Sequence, residues 1–199
     1  MVEEIPSKIN VFLTKPALAF VKFGGDEFHD SFIYFLVLHI FFTIMSTISG
    51  GLVPMYLIGP FLTDIGFSGA SEAPVAESML FTTIWMMIGG VVWALLFPLW
   101  YHLWIRILGG KNGLGYTYNA YFYAETPVKL FGWIPVAGIV FVIWSYILKI
   151  IGFRELHGIS TWRSISAVLL SILIPTAAVS LLIPGLSIPA LLYALYSAH

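Results

Sequence analysis

The chain contains no cysteine, and only 10% of its 199 residues are charged. The first absence removes disulfides, thiolate metal sites, thiol nucleophiles and S-palmitoylation together, and it carries no information about redox compartment. The second excludes an ordinary soluble domain, in which about 25% of residues are charged. Nor is there a cationic excess. Nine lysines and arginines against ten acidic residues give a formal net charge of −1, so a nucleic-acid partner is not expected. Gly-x-Ser-x-Gly, His-Glu-x-x-His and an intramembrane pair of aspartates are all missing, which argues against a hydrolase or an intramembrane protease. No catalytic residue, metal or cofactor is expected. Glu3 and Glu4 stand where a signal peptide would carry basic residues, and no small-residue cleavage site follows an apolar core, so the first span is expected to insert uncleaved.

What the chain has in abundance is apolar surface: 59% of its residues are hydrophobic and the mean hydropathy is +0.94. Together with the long uncharged runs, this predicts an all-α, polytopic transmembrane bundle of five helices with an N-terminal amphipathic interfacial helix. Residues 1–30 form the amphipathic N-terminal segment, and residues 31–199 a single transmembrane domain. In the first part, Ile9, Phe12, Leu13, Ala17, Phe20 and Val21 share one helical face, while Lys8, Lys15 and Lys22 recur every seven residues on the other. Such a helix lies in the headgroup plane with its lysines toward anionic lipid, and Pro16 is expected to split it in two.

No charged residue occurs between Ser31 and Thr63, more than the ~20 residues needed to cross a ~30 Å hydrocarbon layer. The expected spans are 31–56, 78–105, 116–131, 134–151 and 164–183. The third is short, less apolar and bracketed by Pro127 and Pro135. Residues 64–77 have the composition of a loop, and an apolar tail follows Pro184-Gly185. With five crossings, Lys8, Lys15, Lys22, Arg106, Lys111, Lys149, Arg154 and Arg163 all fall on one side, and only Lys129 on the other. The positive-inside rule then places the N-terminus in the cytoplasm and His199 outside, in the plasma membrane.

Glu125 is the most unusual side chain, because an ionisable group inside a span is costly and is by default a functional-site hypothesis. Beside Thr126-Pro127 it either lines a polar cavity with His39 and His102, as in a small ion, solute or lipid transporter, or pairs with Lys129 one turn on. His102 and Arg106, four residues apart, could hold a lipid phosphate; in the plainer reading Arg106 snorkels and His102 bonds a neighbouring backbone group. His39 is expected to hydrogen-bond across helices. His157 beside Glu155 is too isolated for a metal site, which needs three or four converging ligands. The turn from Gly109 to Gly115 has no Gly-Lys-Ser/Thr and follows no strand, so it is not a phosphate-binding loop. It reverses two helices at the headgroups and sets Lys111 against anionic lipid.

Three segments in order, HLWIRILGGKNG, YTYNAYFYAETP and GFRELHGISTWRSISAVLL, resemble the Yip-domain membrane proteins, named for interaction with Ypt/Rab GTPases in eukaryotes. Gly109, Gly110, Lys111, Pro127, His157, Gly158, Ile159 and Ser160 match the family's Gly-Gly-Lys turn, its proline-ended span and its His-Gly-Ile-Ser/Thr connector. The resemblance covers about residues 10–185. It implies five transmembrane helices, a cytoplasmic N-terminus and a role in membrane organisation or trafficking without catalysis. Eukaryotic members carry a long polar N-terminal region, whereas about thirty residues precede the first span here, which implies a short prokaryotic-type member. The expected partner surface is Arg106, Gly109, Gly110, Lys111 and His157. Expected partners are the bilayer, chiefly its anionic headgroups, and a membrane or cytoplasmic protein, a second copy of the chain included.

Overall fold

The computed structural model describes residues 4–50 and 75–182. It is all-α: α1 (Ile5–Thr14), α2 (Pro16–Phe23), α3 (Phe28–Gly50), α4 (Val75–Ile107), α5 (Leu114–Ala124), α6 (Thr126–Phe131), α7 (Ala137–His157) and α8 (Thr161–Leu182). Four stretches are long and apolar enough to cross a membrane: Phe28–Ser49, Met79–Ile107, Ala137–His157 and Thr161–Ala178. The end of the first expected span beyond residue 50, most of the expected loop 64–77 and the apolar tail lie outside the described residues.

The expected third span takes a different form from the other four. Residues 114–131 are two short helices, α5 and α6, joined at Glu125, and neither reaches the length of a spanning helix. The break has a local cause. Pro127 has no N–H to give the carbonyl of Tyr123, four residues back. The hydroxyl of Thr126 donates to that carbonyl instead, at 2.6 Å. A polar residue before a proline thus repairs the backbone bond that the proline removes.

Short as it is, α5 occupies the centre, packed against α3, α4 and α7. Thr117, Asn119, Ala120, Phe122, Tyr123 and Ala124 are all buried on it. At one end, Thr117 meets His102 of α4 and His157 of α7. At the other end, the turn after α6 brings the carbonyl of Trp133 within 3.2 Å of the Ser49 hydroxyl, near the end of α3. The broken pair therefore runs alongside nearly the whole of α3. The following turn is tight: Val136 takes a positive φ of 65°, and a Cβ on Gly138 would stand 2.5 Å from the Gly132 carbonyl. The next helix consequently begins at Ala137, three residues later than the expected 134.

The N-terminal segment splits at Pro16 as the sequence indicates, but its apolar face does not meet lipid throughout. The Phe12 ring stacks on Tyr123 at 4.6 Å and meets the edge of Phe20 at 5.1 Å, and both phenylalanines are fully buried in protein. Lys8 corrects the expectation of a lipid-facing lysine row. It is buried and bonded to Asp26 at 2.5 Å and to the Tyr123 hydroxyl at 3.2 Å. Lys15 and Lys22 remain exposed. Phe12 and Phe20 of the apolar stripe are thus taken up by the bundle itself, with α2 lying on α7, while Val21 stays exposed.

Close approach at that contact depends on Gly152. A Cβ there would fall 2.9 Å from the Phe20 ring and 3.2 Å from the Ala120 Cβ, two groups with no room to retreat. Gly152→Val should therefore cost about 1–3 kcal/mol through overpacking. Thermal unfolding of the detergent-solubilised protein should show a lower midpoint; an unchanged one would mean that α2, α5 and α7 do not meet there.

Candidate functional site

Glu125, at the junction of α5 and α6, is buried. Its Oε1 accepts from the Lys149 ammonium at 2.6 Å, and its Oε2 lies 3.7 Å from the Lys129 ammonium. Lys149 gains a second oxygen from Ser145, one turn back on α7, at 3.1 Å. The ammonium also lies over the rings of Tyr146 at 4.7 Å and Tyr121 at 5.2 Å. Lys129 lies over Phe42 at 4.8 Å and Phe35 at 5.4 Å. One carboxylate therefore serves two cations, and aromatic faces take up the remaining positive charge. Lys149 stands eight residues before the end of α7, about 12 Å along the helix axis, so this cluster lies inside the span rather than at its mouth.

The pairing with Lys129 matches one sequence reading of Glu125. The closer partner, Lys149, was missed because its charge had been assigned to the cytoplasmic side. The structure does not bring Glu125, His39 and His102 into one site. His39 is buried between α3 and α4, with Nε2 3.3 Å from the Met87 carbonyl and its ring stacked on Phe35 at 5.4 Å. Its seat is Gly90, where a Cβ would stand 2.3 Å from the imidazole. His102 lies at the opposite end of the bundle core, where its Nδ1 is 2.7 Å from the Thr117 hydroxyl. The same hydroxyl is 2.9 Å from Nε2 of His157. A hydroxyl has one proton, so Thr117 donates to one ring and accepts from the other, which links α4, α5 and α7 through one oxygen.

A second polar group that the sequence did not single out ties α5 to the N-terminal segment. The Asn119 amide donates to the carbonyls of Gly24 at 3.0 Å and Asp26 at 2.6 Å, and its oxygen accepts from Ser31 at 2.6 Å. The Tyr123 hydroxyl donates to the Asp26 carboxylate, which also holds Lys8. Further along, the Tyr34 hydroxyl meets that of Thr126 at 2.9 Å. The signal for these contacts was available: Asn119, Tyr123 and Thr126 lie within a segment expected to be immersed in hydrocarbon, where a polar side chain needs a partner.

The Gly-Gly-Lys turn closes against the end of α7. Gly109 takes a φ of 96°, which an L side chain rarely adopts, and a Cβ on Gly110 would clash with Ile105 at 2.4 Å. Arg106 folds back to donate to the carbonyls of Gly110 at 3.2 Å and Lys111 at 3.1 Å. The Asn112 amide donates to the Leu156 carbonyl, capping α7 just before the left-handed Gly158. Of the expected surface, Arg106, Gly109 and Lys111 are exposed, whereas Gly110 and His157 are buried.

Two cavities stand out. One of about 360 Å³ lies at the turn from Gly132 to Val136, and one of about 590 Å³ lies between α4 and α8. Neither is lined by Glu125, His39 or His102. Among the described residues, no group of three or more His, Asp or Glu side chains could hold a metal ion. Glu125, Lys129 and Lys149 join α5, α6 and α7 through these contacts.

A family model described as the Yip1 domain matches residues 9–196, nearly the whole chain. No curated protein and no solved structure matches.

Removing one partner of a buried ion pair costs about 3–5 kcal/mol, because the other charge is left without compensation. Lys149→Met and Glu125→Gln should each lower the unfolding midpoint in detergent, and the double variant should fall by less than the sum of the two. Strict additivity in that cycle would show that the two side chains do not interact.

Proposed function

The chain belongs to the Yip1-domain family of membrane proteins, and from that premise we propose a non-catalytic, multi-pass protein that organises partner proteins at the membrane through its cationic end. The observation that carries this reading is the division between a closed core and an open end. In the core, Glu125 pairs with both Lys129 and Lys149, and Thr117 bonds His102 and His157. An enzyme needs a nucleophile or metal beside a base in a cleft, and neither cavity is lined by Glu125, His39, His102 or His157. At the end where α4 stops and α8 starts, Arg106, Lys111 and Arg163 are exposed together with the Gly109 turn. That end is the natural docking face for an acidic cytoplasmic segment or for headgroups.

Topology follows from the same division. In this reading α5 and α6 together make a fifth, broken crossing, supported by their run alongside α3 from His102 to Ser49. The cationic end faces the cytoplasm of a plasma-membrane protein, and His199 lies outside. A cluster of buried charge on a proline-broken helix is tolerated there because protein surrounds it on every side.

The cysteine-free chain makes this directly testable. In intact cells, an impermeant thiol reagent should label Ser197→Cys and spare Ser7→Cys; equal labelling would rule out an odd number of crossings. For the docking face, a photo-crosslinking residue placed at Lys111 should yield discrete protein adducts in native membranes. The same residue at Val136, exposed at the opposite end, should not. No adducts at Lys111, or the same adducts at both positions, would argue against a partner surface at the cationic end.

A further inference from the structure

The 590 Å³ cavity is a furrow between α4 and α8, walled by Trp93, Phe97 and Trp100 on one side and Ile172, Ile174 and Pro175 on the other. Its volume lies within the ~300–1,000 Å³ of small-molecule clefts. We propose that this furrow binds one acyl chain of an anionic glycerophospholipid whose phosphate is held by Arg163.

The furrow is apolar because its polar atoms are already committed. The Trp100 indole N–H donates to the Ser171 carbonyl at 3.0 Å, which ties the two helices at the floor and leaves ring faces and methyl groups toward the opening. Both walls belong to stretches apolar enough to span the bilayer, Met79–Ile107 and Thr161–Ala178. The molecule that meets an open apolar furrow at that depth is a lipid chain. Trp93, Phe97 and Trp100, at helical spacing, give a continuous aromatic wall on which a flexible chain can lie.

A charge in line with this furrow, on the same helix eight residues before its first α8 residue, Ser171, distinguishes it from ordinary surface roughness. Arg163 sits in the first turn of α8, and the stripe Arg163, Leu170, Ile174 runs from it down one helical face into the furrow. The Arg163 side chain lies against the Gly109 turn, with Nη1 3.0 Å from where a Cβ on Gly109 would be. It is exposed, and its guanidinium has no hydrogen-bond or ion-pair partner among the described residues. Arg106 and Arg154, by contrast, are engaged with carbonyls and with Glu155. A planar fork of unused donors suits a phosphate. Eleven residues separate Arg163 from Ile174, about 16 Å of helix, or roughly one leaflet of a ~30 Å hydrocarbon core. Headgroup and chain positions are therefore in register.

This inference rests on the cationic end lying at the headgroups, but not on its binding a protein, so lipid labelling and the Lys111 adducts can fail independently. The full-length chain would be reconstituted in phosphatidylcholine vesicles containing phosphatidylglycerol with a photoactivatable acyl chain. Label is expected to concentrate on Trp93–Trp100 and on residues 172–178, and to be weaker when phosphatidylcholine carries the probe. Arg163→Gln should reduce the preference for phosphatidylglycerol about tenfold. Ala178→Trp, which fills the furrow from its exposed rim, should remove the label without lowering the unfolding midpoint. Glycerophosphate without chains should not compete. Label spread evenly over the exposed faces of α4, α7 and α8, equal labelling from both headgroups, full competition by glycerophosphate, or crosslinks from the furrow to residues 183–199 in place of lipid would each overturn the proposal.

Discussion

A carboxylate immersed in a helix bundle surrounded by hydrocarbon must find a cation, and Glu125 finds two. Much of the architecture can be read as the means of bringing those partners to it. Lys149 reaches across from α7, held from below by Ser145, while Lys129 reaches back from the next turn of α6. An isolated charge here would be expensive, and the arrangement spreads that expense over a carboxylate, two ammonium groups, a hydroxyl and four aromatic faces. Consequently α5, α6 and α7 are fixed relative to one another by an interaction that lipid cannot supply.

The same constraint explains why a helix less apolar than the four long ones is the most central. Lipid tails are as apolar as leucine, so burying more leucine gives helices no reason to associate inside a membrane; polar pairs and close backbone contacts do. The central α5 supplies both. Thr117 bonds His157 of α7, Asn119 and Tyr123 both bond Asp26 in the turn before α3, and Ala120 faces Gly152 across a gap with no room for a side chain. The outer helices α4 and α8 need no such groups along their lipid faces, where Trp85, Trp93, Leu169 and Leu173 stand exposed. Polar groups set within a largely aromatic interior, under an apolar exterior, depart from the pattern of a soluble domain.

These principles also mark how far the sequence could be read. Apolar length pointed to the four helices long enough to cross ~30 Å of hydrocarbon, α3, α4, α7 and α8, because that crossing imposes a minimum run. Proline chemistry located the break between α1 and α2. The family likeness was legible in the Gly-Gly-Lys turn and the His-Gly-Ile-Ser connector, two places where backbone geometry restricts the choice of residue: Gly109 and Gly158 both take positive φ. What escaped was pairing. Lys149 was counted by side, as charge rules do, although a lysine so far from the end of an apolar run had to be compensated and Glu125 was the available carboxylate. Lys8 escaped for the related reason that a seven-residue lysine rhythm looks like a solvated face, whereas its partner Asp26 is far along the chain and is brought near only by the turn after α2. Periodicity reports which residues share a face; it does not report what that face meets.

The unequal use of arginines follows from the same logic and bears on function. Of those near the cationic end, Arg106 is bound to the turn that it stabilises and Arg154 is bound to Glu155, so both have structural duties. Arg163 has none among the described residues, and its side chain lies against the Gly109 turn. A guanidinium left unpaired at the boundary between water and hydrocarbon is tolerable only because phosphate is abundant there, as snorkelling cations exploit. The core has used its charges internally, so among the described residues the cations left to meet another molecule stand at the end where α4 stops and α8 starts.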